Sequence, residues 1–148
     1  RSGMKKFSYS LEAVYQFKLK ILDKLKKEYA VKVQDVQNQQ KLLTNLRQEL
    51  VHYEEEFEKV KKEGCAIEKM MIYVAGIERM EERIKKEEDE LTRLTILAEE
   101  KKKEVIKANM DTSAFEKLKE KKLEEYHELS RKNEEAFIEE FVSHARKA

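Results

Sequence analysis

The 148-residue chain contains no proline and no tryptophan, and it has only three glycines. Proline and glycine are the residues that most often interrupt helices and shape tight turns, so their scarcity excludes a fold of many short elements. The same scarcity excludes a glycine-rich loop of the kind that cradles phosphate groups. What is left is a chain suited to very long helices.

Signals for disulfides, metals and membranes are equally scarce. The lone Cys65 excludes an internal disulfide and suits a reducing compartment. The three histidines, His52, His127 and His144, lack the four-residue spacing that places two ligands on one helix face. No apolar run approaches the roughly 20 residues that cross a bilayer, and we expect no signal peptide before Met4. We predict a cytoplasmic protein with no metal site and no cofactor.

Catalytic residues are not expected either. The acidic clusters at residues 54–56 and 87–90 are typical of the solvated face of a charged helix. Catalysis also needs an enclosed pocket, which a pair of helices lacks. We therefore predict that the protein is not an enzyme.

Charge argues against nucleic acid as a partner, because 32 basic residues nearly balance 31 acidic ones. The lysine-rich stretch at residues 18–32 makes a polyanion site a third and much weaker alternative, because the stretch lacks arginine and interleaved aromatic residues.

The chain does have a heptad repeat, a row of positions spaced alternately by four and three residues, which we call the first comb. It runs for some 60 residues from Leu11 to Val74, and 15 of its 19 positions are apolar or aromatic. A stripe with this period must face another helix. A second comb runs from Tyr73 to Ala108 and is one residue out of phase with the first. A phase break of this kind predicts a hairpin turn, for which Gly64 and Gly76 are the candidates.

The predicted fold is all-α, a long antiparallel two-helix coiled-coil hairpin whose carboxy-terminal helix is longer. Residues 1–3 look like a cloning remnant, and residues 4–148 form the single hairpin. Helix one is expected at about residues 8–62, the turn at about 63–67 and helix two at about 68–146. The charged run before Gly64 makes it the better stop signal of the two glycines.

Two sets of apolar residues lie outside the combs, one near each end of the chain. A turn at Gly64 leaves roughly the last 28 residues as an unpaired helix, whereas a turn at Gly76 pairs Phe137 and Phe141 with Val14 and Tyr9. These sets are thus either packed on each other or exposed as a docking surface. Their members are Val14, Phe17 and Ile21, and Phe137, Ile138, Phe141 and Val142.

Three stretches resemble, in order and spacing, motifs of the flagellar type III export protein FliJ family. Residues 7–14, FSYSLEAV, are similar to the family's F-x-Y-x-L-x-x-V/L start. A central glycine-to-tyrosine passage and a closing E-K-L helix follow. They are carried by Gly64, Tyr73, Ile77, Met80, Ile84, residues 115–120, Tyr126, Glu134, Glu135 and Phe141.

The resemblance implies a non-enzymatic stalk or adaptor of flagellar protein export, similar to the paired terminal helices of the rotary ATPase gamma stalk. It implies that the termini, with the two apolar sets above, dock in the export ATPase ring. The region towards the turn would meet the membrane export gate, with export chaperones as further candidate partners. The protein would then be cytoplasmic and peripheral to the export apparatus. The residues expected at the gate are Leu42, Leu46, Tyr53 and Met80. Of these, Leu46, Tyr53 and Met80 keep the family's character, whereas the further gate positions Glu49, Gly76, Arg83 and Glu87 depart from it.

The alternative from another class is a homo-oligomeric structural coiled coil, in which the comb pairs between chains rather than within one.

Overall fold

A computed structural model describes residues 5–147, which form two helices and no strand: α1 (Glu12–Glu63) and α2 (Ile67–Lys147). The helices pack antiparallel, and α2 has 81 residues against 52 in α1. The predicted all-α hairpin with a longer second helix is confirmed. The expected cloning remnant, residues 1–3, lies outside the described residues. Neither helix has a stretch long and apolar enough to cross a membrane.

The chain divides into two compact units. The terminal unit comprises Arg1–Lys24 with Val105–Ala148, and the turn unit comprises Leu25–Glu104.

The turn between the helices lies at Gly64, in the turn unit. Gly64 has a φ of 86°, which is the left-handed conformation that glycine adopts without a steric penalty. Its amide donates to the Lys61 carbonyl at 3.3 Å and closes the end of α1. The other candidate, Gly76, lies buried inside α2.

The core of the turn unit is built from both combs. Leu43 is 1% exposed and packs with Leu46 and Ile84, and further leucines pack around these three. One polar position of each comb also meets the other: Gln39 Nε2 donates to the carbonyl and to a carboxylate oxygen of Glu87, both at 3.0 Å. A polar layer in an apolar seam disfavours shifted registers, because a shift would leave its groups unpaired.

The last three positions of the first comb behave differently from the rest. Ile67, Met71 and Val74 were assigned to the seam by spacing, yet all three are exposed. They lie in α2, which begins after the Gly64 break and follows its own phase. In that phase Tyr73, the first residue of the second comb, is the buried one.

In the terminal unit, α1 begins at Glu12, later than the expected start near residue 8. Residues 5–9 have no regular secondary structure, and Tyr9 is buried against α2. Further along, Thr112 is buried and its hydroxyl donates to the Ala108 carbonyl at 2.7 Å, with Leu22 and Ala108 buried in the same unit.

Candidate docking surfaces

The last part of α2, residues 131–147, is exposed at every position. We call it the carboxy-terminal docking segment. Phe137 and Phe141 are 52% and 68% exposed, and Ile138 and Val142 are exposed beside them. Residues four apart lie one above the other on a helix, so the four side chains form two adjacent apolar rows. The segment therefore presents an apolar face with no other part of the described chain over it.

Local ion pairs support α2 where the docking segment begins. The Arg131 guanidinium bonds Glu128 and Glu135, which lie one turn before and after it. The bond from Arg131 lowers the pKa of Glu128, and the bond to Glu128 raises the pKa of Arg131. Exposed pairs at this spacing stabilise a helix by only about 0.2–0.5 kcal/mol each. These pairs therefore give the start of the segment only weak local support.

The second predicted set of ATPase-end residues lies on α1 of the terminal unit. Val14 and Phe17 are 40% and 62% exposed, whereas Ile21 is half-buried. Tyr9, the partner that a turn at Gly76 would give Phe141, is instead buried beside Phe115. The two apolar sets are therefore both available at the surface.

Of the residues expected at the gate, three have contacts within the turn unit, and one of them is Leu42, which packs against the core. Leu46 belongs to the core, and the Tyr53 ring packs on Tyr73 at a centroid distance of 4.9 Å. Leu42 and Met80 are half-buried and keep part of their surface accessible. The contacts of Leu46 and Tyr53 with α2 help to hold the two helices of the hairpin together.

Among the positions that depart from the family pattern, Glu49 and Arg83 are exposed. The other two, Gly76 and Glu87, are engaged by Tyr53 and Gln39.

An aromatic cluster lies next to the turn and was not anticipated as a unit. Phe57 stacks on Tyr73 at 5.2 Å, and Lys61 Nζ lies 4.4 Å above the Phe57 ring. The Tyr73 hydroxyl donates to Glu56 at 2.8 Å, and this bond to a carboxylate raises the pKa of Tyr73. Tyr53 is the third ring of the cluster, because it also packs on Tyr73. All three aromatic residues occupy comb positions, but their mutual stacking depends on the helix pairing.

Sequence reasoning also missed an exposed apolar group beside the turn. The sequence feature that indicates this group is the one-residue phase break between the combs. Because of this break, the last positions of the first comb do not lie in the interface between the two helices. Ile67 and Met71 are the most exposed of its members, at 69% and 65%. The group is Ile67, Met71, Ile72 and Val74.

The lysine-rich stretch at residues 18–32 is only partly a free surface. Lys18 and Lys32 are half-buried, in keeping with their comb positions, whereas Lys20 and Lys24 are exposed. Across residues 5–147, no group of three histidine, cysteine or acidic side chains is arranged to hold a metal ion.

Comparison with known proteins gives one finding. A protein-family model described as "Flagellar FliJ protein" matches residues 7–147. No curated protein and no solved structure matches the chain. The matched range contains both helices and every candidate docking residue described above.

Proposed function

Because the chain belongs to the flagellar FliJ family, non-enzymatic components of the flagellar protein export apparatus, we propose that it serves there as a stalk or adaptor. In this proposal the carboxy-terminal docking segment binds within the ring of the export ATPase. The turn unit contacts the membrane export gate, and export chaperones are further partners. The protein works in the cytoplasm, at the periphery of the membrane apparatus.

The observation that carries the proposal is the exposure of the docking segment. Phe137 and Phe141 are large aromatic side chains on a helix in which about half of the other residues are charged. Contiguous exposed apolar side chains usually mark a partner surface. A single helix is the shape that fits a groove or a ring, and apolar residues at four-residue spacing are the anchors of such binding.

Val14 and Phe17 extend the proposed ATPase-binding surface to α1, with half-buried Ile21 beneath them. The surface consists of Val14, Phe17, Ile21, Phe137, Ile138, Phe141 and Val142.

For the gate, we propose that Leu42 and Met80 make contact through their accessible parts. Leu46 and Tyr53 act from inside the hairpin by holding those helices in place. A stalk of this kind can change the state of a partner only by binding one of its conformations more tightly than another.

The test is a paired substitution in the docking segment, Phe137→Ser with Phe141→Ser. It should abolish retention of the chain by the export ATPase and leave the melting temperature nearly unchanged, because neither ring is packed within the chain. A matched control is Val31→Ser with Ile106→Ser, two apolar residues of similar exposure outside the segment. Retained binding together with a large fall in melting temperature would overturn the proposal.

A further inference from the structure

The segment before α1, residues 5–10, lies against α2 in the terminal unit. The Tyr126 hydroxyl donates to the Lys5 carbonyl at 2.7 Å, and the Tyr9 hydroxyl donates to the Phe115 carbonyl at 3.2 Å. The Phe7 and Tyr126 rings meet edge to face at 5.5 Å. Three contacts thus join an irregular segment to the same helix across more than 100 residues of sequence.

From Lys6 to Ser10, exposed residues alternate with more buried ones. Tyr9 is 8% exposed and Phe7 is half-buried, whereas Lys6, Ser8 and Ser10 are exposed. In extended chain, successive side chains point to opposite sides, so every second residue can face the same neighbour. The segment is therefore attached through Phe7 and Tyr9, with its polar residues directed to solvent.

The contacts at Tyr126 lie on a part of α2 that extends beyond the start of α1. The first residue of α1, Glu12, pairs with Lys119. Tyr126 lies about two helical turns further along α2, beyond the start of α1. Among the described residues, 5–10 contact α2 there, and residues 131–147 are all exposed.

Helix ends without packing partners fray, and an isolated helix shorter than about 12–15 residues is marginal in water. The contacts that Lys5 and Phe7 make with Tyr126 therefore decide how much of α2 must hold its helical form unaided, and Tyr9 holds the same segment in place through its bond at Phe115. Without them, the unsupported part would begin near Lys119 rather than after Ser130.

We infer that residues 5–10 are a strap, and that Phe7, Tyr9 and Tyr126 are positioning residues which keep the docking segment helical for its partner. The strap does so by anchoring α2 immediately before the segment, without itself contacting the partner. The link to binding rests on the function proposed above.

The experiment releases the strap in the full-length chain with Phe7→Ser and Tyr9→Ser. Hydrogen exchange of the amides in residues 120–147 should become about tenfold faster or more, because local opening no longer breaks the strap contacts. Affinity for the export ATPase should fall about three- to tenfold, since the segment must be ordered on binding.

Three further variants separate the effect of the apolar anchors from that of the polar side of the strap and from that of the Tyr126 hydrogen bond. Lys6→Ser with Ser8→Ala changes the outward side of the strap and should leave both exchange and affinity as in the original chain. Phe7→Leu with Tyr9→Phe keeps apolar anchors and should restore most of the protection from exchange. Tyr126→Phe removes only the bond to the Lys5 carbonyl and should give an intermediate effect.

The outcomes are distinguishable. Unchanged exchange in the released variant would overturn the strap, and faster exchange with unchanged affinity would overturn its positioning role. Weaker binding with unchanged exchange would mean that Phe7 and Tyr9 touch the ATPase directly, which also contradicts the inference. If the original chain does not bind the ATPase, the proposed function fails, while exchange still decides whether the strap orders α2.

Discussion

Tyr53 occupies the space that a side chain at Gly76 would need. A Cβ added to Gly76 would lie 2.7 Å from the Tyr53 hydroxyl oxygen, closer than a real contact permits. The Tyr53 ring cannot withdraw freely, because it also packs on Tyr73. Glycine inside a helix costs about 0.5–1 kcal/mol relative to alanine, so this position needs a packing reason, and Tyr53 supplies it.

Gly76→Ala should therefore affect the free energy of unfolding differently in two backgrounds. In the original chain it should lower the free energy of unfolding or leave it unchanged, because the shift of Tyr53 offsets the gain in helix propensity. In a Tyr53→Ala background it should raise the free energy of unfolding by about 0.5–1 kcal/mol. Chemical denaturation of the four chains measures the coupling. Equal effects in both backgrounds would show that Tyr53 does not restrict this site.

The seam leucines should carry much of the stability of the turn unit. Leu43→Ala removes a side chain that is 1% exposed and should cost about 2–4 kcal/mol, towards the lower end where a thin two-helix seam relaxes into the cavity. Val51→Ala, at a residue that is half exposed on the same helix, should change the free energy of unfolding by less than about 0.5 kcal/mol. Similar losses for both would contradict the assignment of the core.

Periodicity alone identifies the Leu43 seam, since burial in a helix pair follows a 3.5-residue repeat that can be read locally. It misplaces Ile67, Met71 and Val74, because a repeat cannot show where one helix stops and another phase begins. The strap could not be foreseen at all. Its contacts join residues more than 100 positions apart, and a segment of six residues outside the helices carries no helical period.

The docking residues could be predicted only in part from the sequence. Apolar residues outside both combs were recognisable as a surplus in the sequence. Whether Phe137 and Phe141 are covered depends on the pairing of the helices, and this depends on the turn. In the terminal unit Glu12 lies beside Lys119, a pairing that leaves no part of α1 opposite Phe137.

The conformation of Gly64 gives a further prediction. Its φ of 86° is costly for any residue with a Cβ, although no atom lies within 4 Å of the added group. Gly64→Ala should lower the free energy of unfolding by about 1–2 kcal/mol through backbone strain alone. Gly64→Asn should cost less, because asparagine visits the left-handed region more readily. Thermal melts of the two variants provide the comparison, and equal costs would count against strain as the cause.

The pair between Glu12 and Lys119 should make the terminal unit sensitive to acid. The hydrogen bond from Lys119 lowers the pKa of Glu12 from its ordinary value of 4.5. A depressed carboxyl pKa contributes stability that is present above pH 4.5 and is lost as the pH falls through the folded value. Glu12→Gln should thus be less stable than the original chain at pH 7, and the difference should shrink towards pH 3.

If the ion pair is the cause, Lys119→Met should also be less stable than the original chain at pH 7, and this difference should also shrink towards pH 3. Glu120→Gln, which changes an exposed glutamate on α2 of the same unit, should not. Hydrogen exchange of the terminal unit at the two pH values reports the effect. Added salt should diminish it, because exposed charges are screened. A difference that persists undiminished at pH 3 would show that Glu12 acts through helix packing rather than charge.

The last prediction concerns the native mass, which separates a stalk from a structural coiled coil. A homo-oligomer built on the heptads needs Leu43 and Leu46 to face a second chain, but the Ile84 side of α2 already covers them. We therefore expect the mass of one 17.7 kDa chain at low protein concentration. Association at high concentration should come from the exposed docking segment, so Phe137→Ser with Phe141→Ser should abolish it. A dimer that survives this change and dissociates with Leu43→Ala would place the seam between chains and favour the structural alternative.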